Sequence, residues 1–70
     1  MDDLDRRILD VEARTFRSVG VKERVIREQT GLTPTAYFVR LNRLLESREA
    51  LEYRPTVVNR LRGLRQRTEV

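Results

Sequence analysis

Seventy residues suffice for one domain, residues 1–70, and a domain of this size buries little more than about 60% of the surface its unfolded chain exposes. Neither cysteine nor histidine occurs, which excludes disulfides and thiol-based metal sites. It also removes the usual zinc ligands and the commonest acid–base residue, so the chain reads as no enzyme, with no cofactor and no metal. The net charge is +4, no apolar run approaches the roughly 20 residues that span a bilayer, and the acidic N-terminus is unlike a basic, apolar signal peptide; the expected compartment is cytoplasmic, with no membrane partner.

Asp2, Asp3 and Asp5 precede an apolar series, Leu4, Ile8, Val11 and Thr15, whose spacing predicts a first amphipathic helix from about Asp3 to Arg17. The early acids complement the positive end of the helix dipole, a capping role that outweighs a catalytic dyad. Ser18, Val19 and Gly20 form the expected break, with Gly20 in the left-handed conformation that commonly ends a helix. A second, short helix, about Lys22 to Gln29, turns Val25 and Ile26 inward and closes at Thr30–Gly31. Thr33-Pro34-Thr35 is a strong start signal, because Thr33 can cap the exposed amides and Pro34 at the first helical position loses no hydrogen bond. The third helix therefore runs from Pro34 to Glu46, with Tyr37, Leu41, Leu44 and Leu45 on its buried face and Phe38 at the edge. Ser47 to Tyr53 reads as a single short helical turn carrying Ala50, Leu51 and Tyr53 toward the core. Pro55 opens a last amphipathic helix to about Arg67, with Val57, Val58, Leu61 and Leu64 in its stripe. The fold class is all-α.

Two short helices joined by a Gly-containing turn, the second capped by Thr and followed by Leu periodicity, form a helix-turn-helix signature over residues 21 to 46, with Leu32 locking the turn to the core. Charge follows the same organisation. Residues 1 to 12 carry −3, residues 13 to 45 carry +5, residues 46 to 53 carry −2 and residues 54 to 70 carry +4. Fourteen of the fifteen bases are arginine, which suits phosphate and guanine recognition, although a GC-rich genome also favours arginine codons. On the third helix Ala36, Arg40 and Arg43 lie within about 60° of one another, away from the core stripe, with Thr35, Val39 and Asn42 on the flank. Arginine can bind guanine bidentately, asparagine can address adenine, and Thr or Val can touch the thymine methyl. Thr33 and Thr35 can also bond a phosphate at the helix start. Lys22, Arg24 and Arg27 sit on the helix that crosses the phosphate backbone in this motif. The candidate DNA-binding residues are therefore Lys22, Arg24, Arg27, Thr33, Thr35, Ala36, Val39, Arg40 and Arg43. Arg60, Arg62, Arg65 and Arg67 either extend the phosphate contact, meet a partner or solubilise the last helix.

The ordered string Gly20-Val21-Lys22-Glu23, Ile26-Arg27-Glu28, Gly31-Leu32-Thr33-Pro34-Thr35, Tyr37-Phe38, Leu41-Asn42-Arg43-Leu44-Leu45, Glu49-Ala50-Leu51 and Arg60-Leu61-Arg62 resembles a family of small proteins of actinobacteria and their phages. That family is defined as a domain of unknown function, and the resemblance, over about residues 8 to 67, implies a helix-turn-helix-like core. The chain departs from the family pattern near Thr15-Phe16, where an aromatic pair is usual, at Arg54, where an acidic cap precedes the proline, and near Ala36, where an arginine is usual. Promoter-reading regions of sigma factors have a similar arrangement, an analogy at the level of fold alone.

The leading expectation is a DNA-binding protein, a small transcriptional regulator or a phage or host DNA-binding factor that reads the major groove with the Pro34 to Glu46 helix. The partner is double-stranded DNA, and self-association as a homodimer would add buried area. The alternative is a protein-interaction module of the transcription machinery, or a dimerising adaptor, docking through Val57, Leu61 and Leu64. Membrane-surface binding by the basic last helix is the weakest reading, since that helix lacks a Trp or Phe anchor.

Overall fold

The computed structural model describes the backbone of residues 1–68 and the side chains of residues 1–65. Its elements are α1 (Asp3–Glu12), α2 (Val19–Thr30), α3 (Pro34–Leu44), α4 (Arg48–Tyr53) and α5 (Pro55–Thr68). The described residues contain no strand, so the domain is all-α. None of their helices is long and apolar enough to cross a membrane.

A reciprocal capping box starts α1. The Asp5 amide donates to Asp2 Oδ1 at 2.9 Å, and the Asp2 amide donates to Asp5 Oδ2 at 3.4 Å, satisfying donors that a helix N-terminus leaves open. The helix ends at Glu12 rather than at Arg17. Thr15, the last member of the expected apolar series, lies beyond the helix and is exposed. The chain instead leaves through Ala13 to a half-buried Phe16, with the Arg14 guanidinium 5.1 Å from its ring centroid. Ser18 then starts α2 by accepting the Val21 amide at 3.2 Å. That cap makes α2 a twelve-residue helix and puts Gly20 in its first turn, so the expected left-handed break at Gly20 does not occur.

The left-handed position lies at Gly31, with φ of 71°. Its amide donates to the Arg27 carbonyl at 2.9 Å, closing α2 with the αL cap that glycine adopts without a Cβ penalty. Thr30 fixes the exit: its hydroxyl donates to the Ile26 carbonyl at 2.5 Å and accepts the Leu32 amide at 3.2 Å. Leu32 packs against the core, as expected of the residue that locks this turn. Thr33 caps α3 by accepting the Ala36 amide at 3.2 Å, and Pro34 occupies its first turn.

Tyr37, Leu41, Leu44 and Leu45 are buried and join Ile8, Leu9 and Val11 of α1, Ile26 of α2, Ala50 of α4 and Val58 of α5 in one core. The third helix stops at Leu44, two residues short of Glu46, because the Glu46 and Ser47 amides turn back to the Arg43 and Leu44 carbonyls. Ser47 then caps α4. Tyr53 does not enter the core: it is 39% exposed, and its hydroxyl donates to Asp10 Oδ1 at 2.9 Å. The apolar stripe of α5 also fades. Val57 and Val58 are buried and Leu61 packs against the core, but Leu64 is 50% exposed.

Candidate nucleic-acid interface

One polar cluster lies inside the fold. The Tyr37 hydroxyl donates to Glu12 Oε2, with the Ile8 carbonyl 3.3 Å away. Lys22 Nζ reaches the same carboxylate at 3.0 Å, and Glu12 is only 6% exposed. Burial, followed by the bond to Glu12, pushes the Tyr37 phenol far above its ordinary range. Buried charge is tolerated only when paired and hydrogen-bonded, and this cluster satisfies that condition. Lys22, a candidate phosphate contact, therefore serves as the counter-ion of Glu12, its ammonium also 5.9 Å from the Phe38 ring centroid.

The outward side of α3 is the opposite case. Thr35, Ala36, Val39, Asn42 and Arg43 are exposed, and Val39, 51% accessible, has no core duty. Ala36, Val39, Arg40 and Arg43 line one open groove of about 620 Å³, bordered by Met1, Asp5, Leu32, Leu44 and Ser47. Four of the nine candidate residues are thus brought together. Thr35 lies exposed in the first turn, and Thr33 Oγ1 is committed to its cap. Arg24 and Arg27 are exposed on α2 and, with Arg43, make no ion pair among the described residues.

Arg40 differs from Arg43. Its Nε donates to Asp5 Oδ1 and its Nη2 to Asp2 Oδ2, both at 2.8 Å. The hydrogen bond to Asp5, followed by the attraction of both carboxylates, moves the guanidinium further above its ordinary pKa. Asp2 is held below the usual carboxylate range by the Asp5 amide first and by Arg40 second. The centre of the accessible face therefore shifts from Arg40 toward Val39 and Arg43.

The arginines of α5 also have partners. Arg60 Nη2 donates to the Glu12 carbonyl at 2.8 Å, Arg62 Nε donates to the Leu45 carbonyl, and Arg65 pairs with Glu46. Two of them thus bind open carbonyls at the C-terminal ends of α1 and α3, where cations are favoured. The side chain of Arg67 lies outside the described residues. Sequence reasoning missed these capping roles: the i, i+3 spacing of Asp2 and Asp5 signals a helix start, but no local pattern pairs Arg40 with Asp5 or Arg60 with Glu12.

The family described as a protein of unknown function (DUF3263) matches residues 1–70. The chain belongs to this family. The match extends beyond both ends of the resembling region, which spans about residues 8 to 67. No curated protein and no solved structure matches the chain. This DUF3263 member carries an accessible patch of Thr35, Ala36, Val39 and Arg43 on a firmly capped helix, with Arg24 and Arg27 exposed on the helix before it.

Proposed function

We propose that this chain binds double-stranded DNA, with α2, the Gly31–Thr33 turn and α3 acting as a helix-turn-helix and the outward face of α3 entering the major groove. The observation that carries the reading is the free face of α3. A helix fixed by Thr33, Pro34 and three core side chains presents Thr35, Val39, Asn42 and Arg43 to solvent, the mixture of methyl, amide and guanidinium groups that base edges accept. Arg24 and Arg27 on the preceding helix supply phosphate contacts. The role that follows is that of a small transcriptional regulator or a phage or host DNA-binding factor.

The three candidate arginines that make no ion pair among the described residues set a scale. If Arg24, Arg27 and Arg43 each neutralise one phosphate, the logarithm of affinity falls with the logarithm of salt with a slope of about −2.7 per monomer. Such a monomer binds weakly, and a homodimer would double the footprint. Principal extents of 29 × 28 × 19 Å let two copies lie side by side with reading helices about 34 Å apart, one helical turn of duplex.

Fluorescence anisotropy with a labelled duplex of about two helical turns, titrated with salt, tests the proposal. Arg24→Ala and Arg27→Ala should each flatten the slope by about 0.9, whereas Arg43→Ala should also blunt any preference between sequences. No duplex binding at low salt, or binding indifferent to all three substitutions, refutes it. The exposed Leu64 on α5 favours a second reading, docking of a protein partner or a second copy. Sedimentation that shows self-association lost in Leu64→Ser, with no DNA-dependent shift, would support that reading instead.

A further inference from the structure

Asp2 and Asp5 each carry two engagements. One oxygen of each carboxylate accepts a backbone amide of the α1 capping box, and the other accepts from Arg40. The backbone therefore fixes both carboxylates before the guanidinium meets them. This separates the arrangement from an ordinary surface ion pair, whose value is eroded by the entropy of holding two long side chains together. Exposure grades outward, with the Asp5 side chain 16% accessible, Arg40 38% and Asp2 60%, so the outer carboxylate stands on the solvent side of the arginine. Two carboxylates against one guanidinium leave a local charge of about −1 beside the groove that Ala36, Val39 and Arg43 line.

We propose that Asp2 and Asp5 act as an internal competitor for Arg40, occupying the donors that would otherwise engage nucleic acid, so that Arg40 contacts DNA only where the duplex displaces them. This rests on the DNA-binding reading above and assigns a regulation to that site. A phosphate approaching at random meets two carboxylates and is repelled. A site that places a strong acceptor against Arg40 recovers the cost by exchange. The mask thus lowers affinity for duplex in general and raises the ratio between matched and unmatched sites.

The test uses the whole chain and a labelled mixed-sequence duplex of about two helical turns. Asp2→Asn and Asp5→Asn remove charge while keeping an acceptor at the helix start, and circular dichroism checks that helicity is retained. Asp3→Asn is the control for charge alone, since Asp3 is exposed in the same turn and faces Arg6 and Arg7 at 3.6 and 3.8 Å. The expected result is binding tighter by roughly three- to tenfold in Asp2→Asn and Asp5→Asn, with a salt slope steeper by about 0.9. Asp3→Asn should gain about twofold at most. In the Arg40→Ala background charge removal at Asp2 or Asp5 should tighten binding no more than Asp3→Asn does. Equal gains from all three aspartates, or gains above that of Asp3→Asn that survive Arg40→Ala, overturn the mask while leaving DNA binding intact. If no variant and not even the unaltered chain binds duplex at low salt, the DNA reading itself fails and the mask with it.

Discussion

Replacing Tyr37 by phenylalanine deletes one oxygen from the middle of the domain and leaves its ring, which is fully buried, in place. The packing cost is small; the electrostatic one is not. Among the described residues Glu12, 6% exposed, loses its phenolic donor and keeps only Lys22 at 3.0 Å. A hydrogen bond to a charged group contributes about 1.5–3 kcal/mol, so the expected loss is about 2 kcal/mol. A chain of this length has only about 3–10 kcal/mol of stability to lose. For a domain of 60–100 residues, each kcal/mol moves the thermal midpoint by about 4–8 °C, giving a fall of roughly 8–16 °C in a melt followed by circular dichroism. Urea unfolding should show the same loss in the midpoint with an unchanged slope. A loss below about 0.5 kcal/mol would mean that the Glu12 carboxylate is satisfied without the phenol and that the cluster is not what holds α1, α2 and α3 in register.

Gly31→Ala should cost about 1–2 kcal/mol by urea unfolding, because a Cβ there meets nothing within 4 Å and the penalty comes from the left-handed backbone alone. At Gly20, inside α2, the same substitution should stabilise by about 0.5–1 kcal/mol in that assay. Thr33→Ala removes the acceptor of the Ala36 amide and should lower stability by about 1 kcal/mol, with faster hydrogen exchange in the first turn of α3. Acidification tests the capping box. Asp2 has a lowered pKa in the folded chain, so its contribution is present above the ordinary carboxylate range and is lost as pH falls through the lowered value. A stability profile measured downward from about pH 5 should decline, and Asp2→Asn should decline less steeply.

Helix starts were largely legible because their signals are local. Thr33-Pro34, Ser47 and Pro55 announce themselves within a few residues, and the cap bonds of Thr33 and Ser47 are present. The core stripe of α3 was legible for the same reason, since periodicity alone selects Tyr37, Leu41, Leu44 and Leu45. The end of α1 was not. It depends on Phe16 packing from a loop, on Ser18 capping the next helix and on Arg60 reaching the Glu12 carbonyl from forty-eight residues away. Gly20 misled because a glycine after a Ser suits either a helix end or a first turn, and only the neighbouring cap decides between them. The candidate site was legible as a face but not as a charge distribution. A helical wheel places Arg40 and Arg43 together, yet the partners that distinguish them sit on α1.

The grip of α5 on the ends of α1 and α3 bears on how the chain is made. A ribosome delivers the polypeptide N-terminus first, at about 5–20 residues per second. Glu12 therefore emerges roughly 2–10 s before Arg60, which lies forty-eight positions downstream. During that interval α1, α2 and α3 can collapse around Tyr37, but the final carbonyls of α1 and α3 face water. Helix α3 acquires its last restraint only once α5 has been synthesised, so a nascent or prematurely terminated product that ends before residue 60 presents the same outward face of α3 on a looser frame.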